Sequence, residues 1–336
     1  MICVSNYSLL RHNTFQIDAL CRQYLSFESV AEIQEAITNK VIVAPYLILG
    51  GGSNLLLTND YPGTVLHVDI RGIEVKPDGN DVLLRCGAGE EWDQVVEFAV
   101  EHGYYGTENL SFIPGQVGAS AVQNIGAYGA EVKDLIETVE AVEIATGRVV
   151  TFHNEDCQYA YRKSRFKTEW RNQYLITYVT YRLSQTFTPH LDYGNIKSAL
   201  AEKGITTPTA KELRQTIIDI RKSKLPDPKI FGNAGSFFVN PVVSREKADE
   251  LLKQYPTMPH YQIDAETVKI PAGWLIEQTG WKGRSEGRAG VHSLQALVLI
   301  NLGGATGQEV LHLCERICSD VKNKFGIEIY PEVNIV

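Results

Sequence analysis

No stretch of this 336-residue sequence holds the uninterrupted run of ~20 apolar residues that a membrane-spanning helix needs, so no membrane partner is expected. Basic charge is in deficit, with 32 Lys and Arg against 40 Asp and Glu for a net charge of -8. That balance argues against the broad basic face of a nucleic-acid-binding protein. There is no C-x-x-C, no H-E-x-x-H and no paired histidine spacing, so no protein-bound metal is expected. The G-x-x-x-x-G-K-[ST] phosphate loop is missing, as are internal repeats and low-complexity tracts. Met1 to Leu10 lacks the basic and continuously apolar regions of a secretion signal. The six cysteines therefore read as reduced thiols of a cytoplasmic protein, with Cys314 and Cys318 as packing residues on one predicted helix face.

What is present suits an ordinary soluble globular protein, at 44% hydrophobic and 21% charged residues, and the length asks for two or three domains. One segment stands apart. Asn109 to Ala130, NLSFIPGQVGASAVQNIGAYGA, carries no charge and shows neither helical nor strand periodicity. Gly115, Gly118, Gly126 and Gly129 allow positive φ or close approach of the backbone, and Gln116, Gln123 and Asn124 offer uncharged hydrogen bonds. Such a segment lines a ligand or forms a turn-rich part of the core, and composition does not separate the two.

Along the chain, Ser29 and Glu32 suggest a capping box before a helix with Val30, Ile33 and Ile37 on its apolar face. A strand at Tyr46 to Leu49 runs into Gly50-Gly51-Gly52-Ser53-Asn54, a loop able to cradle phosphate with backbone N–H groups or simply to turn tightly. It is not the dinucleotide fingerprint, which opens a helix; a strand at Thr64 to Ile70 comes next instead. Strand Val82 to Cys86 leads to a helix with Trp92, Val95, Val96 and Ala99 on one face. Thr138 to Ile144 and Arg148 to Phe152 form a predicted hairpin, and Gln173 to Leu183 a strand. Tyr159 to Arg165 mixes aromatic and basic groups, as a solvated loop or an anion site would, and His190 to Ile196 reads as a loop.

A boundary is expected near Gly204 to Pro208, followed by a second capping box at Thr209 and Glu212. The basic end of that helix, Arg221, Lys222 and Lys224, suits the helix dipole. Helices are predicted at Arg245 to Tyr255, Pro271 to Thr279 and Thr306 to Phe325, the last boxed by Thr306 and Glu309, with a terminal strand over Ile327 to Val333.

Five ordered blocks span nearly the whole chain: LILGGGSNLLL from Leu47, IPGQVGASAVQNIGAYG from Ile113, YAYRKSRFK from Tyr159, KLPDPKIFGNAGSFFVNP from Lys224, and YPEV from Tyr330. Together they resemble the MurB family, the UDP-N-acetylenolpyruvoylglucosamine reductases of bacterial cell-wall synthesis. The resemblance implies an α+β protein: a two-subdomain FAD-binding fold of the vanillyl-alcohol-oxidase type and a third, substrate-binding α+β domain. The subdomains are expected at 1–75 and 76–205, with 327–336 returning to the site, and the substrate domain at 206–326. By the same resemblance, Gly50, Gly51, Gly52, Ser53 and Asn54 wrap the FAD pyrophosphate, and Gly115, Gly118, Gln123, Asn124 and Gly126 line the flavin. Ser53 stands where some relatives of this fold attach FAD through histidine, so non-covalent FAD is expected.

The partners implied are NADPH and UDP-N-acetylglucosamine enolpyruvate, handled by a monomer. Tyr193 in LDYGN matches the tyrosine of the loop that closes over the nucleotide-sugar in type I members. Tyr161, Lys224, Asn240 and Gln295 match further substrate-contacting positions. Asn240 before Pro241 also reads as a turn residue, and Gln295 as a backbone-satisfying one. For catalysis the resemblance points to three residues. Arg162 offers a permanently charged planar fork for the carboxylate. Ser236 matches the proton donor to the α-carbon, and Glu332 the carboxyl group that supports the same intermediate. Two other readings compete with this one: a flavin oxidase of the same fold, and a nucleotide-sugar-binding protein or transferase without redox chemistry.

Overall fold

The structure, a computed structural model, describes every residue from Met1 to Val336. The chain divides into two compact units. One comprises Met1–Tyr7, Cys21–Gly51 and Pro62–Ser223; the other comprises Ser8–Leu20, Gly52–Tyr61 and Lys224–Val336. Both mix helices and sheets, an α+β architecture, and no helix is long and apolar enough to cross a membrane.

The first unit is built on a five-stranded antiparallel sheet ordered Val149–His153, Ile136–Glu143, Tyr174–Ser184, Asp81–Gly87 and Ile73–Asp78. Its central strand buries Leu175, Thr177, Val179, Tyr181 and Leu183 on one face, and Ile176 and Thr180 are buried on the other. A second, four-stranded sheet runs Ile2–Ser8, Leu20–Phe27, Tyr61–Val68 and Tyr46–Leu49. The last two strands are parallel, from Tyr46 opposite Thr64 to Leu49 opposite His67, and Tyr46–Leu49 delivers the chain into the glycine run.

Helix α1 (Val30–Thr38) starts at Ser29, whose hydroxyl accepts the Glu32 N–H at 3.3 Å. The Glu32 carboxylate accepts the Glu28 N–H at 2.7 Å, so the returning bond falls one residue before the cap. Helix α2 (Trp92–Glu101) buries Trp92, Val95, Val96, Ala99 and Val100. Trp92 donates its indole N–H to the Leu110 carbonyl at 2.9 Å and stands edge-on to Tyr181 at 5.5 Å. It thereby satisfies its one polar atom while filling the core.

Helix α3 (Val117–Gln123) corrects the sequence reading, which found no helical period in the uncharged segment. Seven residues are too few to display one, and Val117, Gly118, Ser120 and Ala121 are all buried, so no polar face marks it. Helices α4 (Ile196–Glu202) and α5 (Ala210–Lys224) share a small core of Ile196, Leu200, Leu213, Ile217 and Ile220. The Thr209–Glu212 box closes both ways, at 2.8 and 3.3 Å. Buried Arg214 donates to both oxygens of Asp93 at 2.6 and 3.1 Å, fixing α5 to α2.

The second unit holds α6 (Arg245–Gln254), α7 (Ala272–Gln278) and α8 (Gly307–Phe325) with two three-stranded sheets. The Thr306–Glu309 box opens α8, and Gly326 at φ +65° ends it. Buried Trp281 donates to Asp320 at 2.9 Å. The terminal strand expected over 327–333 is instead Asn334–Ile335, parallel to Leu55–Leu56. Pro331 has no N–H to give to a ladder. The residues around it make isolated bonds, Val239 N–H to the Tyr330 carbonyl at 2.9 Å and Glu332 N–H to the Phe237 carbonyl at 2.7 Å.

Candidate active site

In the first unit the glycines allow backbone to lie on backbone. A Cβ on Gly50 would stand 3.2 Å from that of Ala119, one on Gly51 3.2 Å from the Gly115 Cα, and one on Gly118 3.0 Å from the Ala88 Cβ. Beside Gly50 the Gln116 side-chain oxygen is buried with no hydrogen-bond partner. These residues fit an FAD. The close packing that these glycines allow gathers the two segments, and the unpartnered Gln116 oxygen offers an acceptor to a bound group.

In the second unit, Gly52 is demanded by packing as well as by any ligand. It lies at φ +62°, and a Cβ there would overlap the His12 carbonyl oxygen and sit 2.7 Å from the Asn13 Cα. Its own carbonyl accepts from the Thr14 N–H at 3.1 Å. The carbonyl of Asn54 accepts both the backbone and side-chain N–H of Asn334, at 3.2 and 3.0 Å, so the last strand is bound to the end of the glycine loop.

The loop Tyr159–Arg165 resolves into a tight turn. Ala160 and Lys163 exchange backbone bonds at 3.1 and 2.9 Å, with Tyr161 and Arg162 at the tip. Arg162 has φ +56°, a left-handed conformation costing a non-glycine residue on the order of 1–2 kcal/mol. Its guanidinium donates to the Gly126 carbonyl at 2.9 Å and the Asn124 carbonyl at 3.4 Å, and lies 5.4 Å from the exposed Tyr161 ring. Strain held in place by two anchoring bonds is typical of a side chain aimed for function.

Around this turn, Asn124 is left-handed at φ +45° and fully buried. Both of its amide hydrogens are committed, to Glu131 and to the Ala160 carbonyl, each at 2.9 Å, and its oxygen accepts the Lys133 N–H at 3.1 Å. Gln123 accepts from Lys167 at 2.9 Å. Tyr193, exposed on the loop before α4, stands over Gly129.

Ser236 is exposed in the second unit, between Gly235 at φ +70° and buried Phe237. The Glu332 N–H donates to the Phe237 carbonyl, which brings the far end of the chain alongside the serine. Lys224 is exposed. Asn240 accepts the Ala272 N–H at 2.9 Å, capping the start of α7, and the Gln295 side-chain oxygen accepts the Leu297 N–H at 3.3 Å. Asn240 thus ties its loop to the start of α7, and Gln295 holds backbone in its own loop.

The sequence reading missed Arg221, assigning it only to the helix dipole. Its Nε donates to the Phe112 carbonyl at 3.1 Å, and it bonds the Tyr128 hydroxyl. Burial pulls its guanidinium below the ordinary value, against the opposing pull of Tyr128 and Asp93, while Arg162 adds like-charge repulsion. Arg214 and Arg221 are seven residues apart, in phase with Ile217 on the buried stripe of α5, and that phase was the available signal.

Comparison with known proteins follows this division. Residues 227–336 match the family model for the C-terminal domain of UDP-N-acetylenolpyruvoylglucosamine reductase, and residues 22–153 that for an FAD-binding domain. The reductase of Bacteroides fragilis (strain YCH46) is 50% identical over 332 residues, covering 98% of this chain and 99% of its own. That of Porphyromonas gingivalis (strain ATCC 33277) is 49% identical over 333 residues, covering 98% of each. Among solved structures, the reductase of Thermus caldophilus superposes with a TM-score of 0.69 at 23% identity, over 99% of this chain and 98% of that one. A solvent-stable cholesterol oxidase superposes at 0.52 and 11% identity, over 98% and 86%. The last two speak for the fold.

Proposed function

The chain belongs to the UDP-N-acetylenolpyruvoylglucosamine reductase family, and on that premise we propose that it reduces UDP-N-acetylglucosamine enolpyruvate to UDP-N-acetylmuramate with NADPH, for peptidoglycan precursors. It is an FAD-dependent oxidoreductase. We assign Gly50, Gly51, Gly52, Ser53 and Asn54 to the FAD pyrophosphate, and Gly115, Gly118, Gln123, Asn124 and Gly126 to the ring. Held by these residues, FAD would supply hydride transfer between NADPH and the enolpyruvyl substrate.

The residues of this chain do the remaining work. Arg162 binds the substrate carboxylate and holds the negative charge that spreads onto its oxygens as the α-carbon becomes anionic. Ser236 gives its hydroxyl proton to that carbon, and Glu332 supports the same intermediate. A serine hydroxyl suits so strong a base, and Gly235 beside it permits close approach. Tyr161, Tyr193, Lys224, Asn240 and Gln295 hold the nucleotide-sugar, with Lys224 on the diphosphate.

What supports this reading is the 2.7 Å backbone bond from the Glu332 N–H to the Phe237 carbonyl, which pairs the terminal segment with the residue that follows Ser236. We read the enzyme as a cytoplasmic monomer. The test is the visible spectrum of the purified protein under anaerobic addition of NADPH and then of the enolpyruvyl substrate. Loss of the yellow band and its return on the second addition are expected. Loss without return would leave a flavoprotein with a different substrate.

A further inference from the structure

We propose that Asn109 is a positioning residue that sets the Tyr193 loop on the same support that aims Arg162. Asn109 is 3% exposed, in the turn Glu108–Leu110. Its amide donates one hydrogen to the Tyr128 carbonyl at 2.8 Å and the other to the His190 carbonyl at 3.0 Å. It thus ties together segments 19 residues ahead and 81 residues ahead in sequence.

The first of these is the tip of a short hairpin, Gly126–Ala127 paired with Ala130–Glu131. Its two turn residues, Tyr128 and Gly129, lie at φ +48° and +81°, the signature of a type I′ turn. The second begins the stretch from His190 to Asn195, which has no strand or helix to place it before α4. That stretch needs anchors, and two are evident. One is the Asn109 bond at its base. The other is Gly129: at φ +81° a Cβ there would lie 3.2 Å from the Tyr193 Cβ and 3.5 Å from its ring, so a side chain would push the tyrosine back by a few tenths of an ångström. An ion pair between Asp192 and Lys197 is exposed and adds little.

At its other end the same hairpin carries Arg162, through the bond to the Gly126 carbonyl at 2.9 Å. Four residues of hairpin therefore connect the seat of Tyr193 with the anchor of Arg162. Asn109 fixes the hairpin and the loop to each other. The inference rests on the reading that Tyr193 and Arg162 meet the nucleotide-sugar substrate.

The test uses the FAD-loaded full chain and compares Asn109→Asp, Tyr193→Ala and the double variant. Aspartate keeps the size but sets acceptor oxygens against two carbonyls. The expected result for Asn109→Asp is about a tenfold rise in KM for the enolpyruvyl substrate and in the calorimetric Kd of UDP-N-acetylmuramate, the order that losing two neutral hydrogen bonds implies. Flavin reduction by NADPH should keep its rate. Tyr193→Ala should weaken the same two constants, and the double variant should be no worse than Tyr193→Ala. Additive losses, or equal losses in NADPH reduction and sugar binding, would overturn the inference while leaving Tyr193 its role. A silent Tyr193→Ala would instead sink the reading of the tyrosine, and the inference with it. Should Asn109→Asp fail to fold, Gly129→Asn, which tolerates positive φ, crowds Tyr193 from below and must show the same selective loss.

Discussion

Replacing Ser236 by alanine separates chemistry from folding more cleanly than any other change in this site. Ser236 is exposed, and the loop around it is held by its neighbours. Asn233, 3% exposed, donates to the Phe231 carbonyl at 2.8 Å and the Pro226 carbonyl at 3.3 Å, and accepts the Gly235 N–H at 3.0 Å. Phe237 is fully buried against Phe15 at 6.0 Å. Loss of the hydroxyl should therefore change stability by less than about 0.5 kcal/mol. A positioned general acid is worth roughly 10²–10⁴ in rate, which at about 1.36 kcal/mol per decade is about 2.7–5.4 kcal/mol of barrier.

The assay is anaerobic stopped flow on each half-reaction. With NADPH the flavin band of Ser236→Ala should bleach at the wild-type rate. With the enolpyruvyl substrate its return should slow by two to four decades, the range just estimated. Ser236→Cys, which keeps a proton of lower pKa at the same place, should recover part of the loss. Equal slowing of both half-reactions, or a melting temperature lowered by several degrees, would refute the reasoning, because either would mean that the serine shapes the site instead of supplying the proton.

Three further outcomes follow from measured contacts. Arg162→Lys keeps the charge but cannot hold the Gly126 and Asn124 carbonyls in one planar fork, so the barrier behind kcat with the enolpyruvyl substrate should rise by about 1.5–3 kcal/mol from lost charge-assisted bonding; wild-type turnover would show that a point charge suffices. Gly52→Ala forces a Cβ into the His12 carbonyl at φ +62°, and should lower both the melting temperature and the flavin retained per chain; full flavin content in a stable variant would mean that the His12–Asn13 segment yields. Glu108 is buried, and desolvation raises its carboxyl above the ordinary value of 4.5 even though one oxygen accepts the Gly106 N–H at 2.9 Å. The folded chain therefore holds this proton more tightly than the unfolded chain. Its contribution to stability is complete below pH 4.5 and is lost as pH rises through the raised value. Glu108→Gln should flatten that part of the stability profile, and identical slopes for the two proteins in thermal melts from acid to neutral pH would refute the assignment.

Legibility in the sequence followed the range of the interaction that places each residue. Helices α1, α2, α6, α7 and α8 were readable from caps and apolar spacing, because both signals lie within a few residues of the element they specify. So was the hairpin of Ile136–Glu143 with Val149–His153. Helix α3 was hidden because seven residues without an exposed charged face leave no amphipathic contrast, and the terminal strand was misplaced because Pro331 breaks the ladder that the preceding alternation suggests. Motif likeness supplied candidates for the site but no bonds. It named Asn124 as a flavin contact, and gave no sign that its side chain also ties Glu131, Ala160 and Lys133 together. It left Arg221 at a helix end, where local charge gave it a sufficient reason. Asn109 and Tyr128 lay inside the segment that stood apart but were given no role of their own, since nothing near them in sequence requires an amide with two carbonyls to satisfy. Those carbonyls belong to Tyr128 and His190, brought together only when the sheet that separates them in sequence has formed. Residues that perform chemistry announce themselves by type, whereas residues that aim them are specified by partners distant in the chain. The Asn109–Tyr193 double-variant cycle therefore probes what no local pattern encodes: additivity would reduce Asn109 to a buried amide satisfied by chance neighbours, and non-additivity would make the uncharged segment the frame on which the substrate loop is hung.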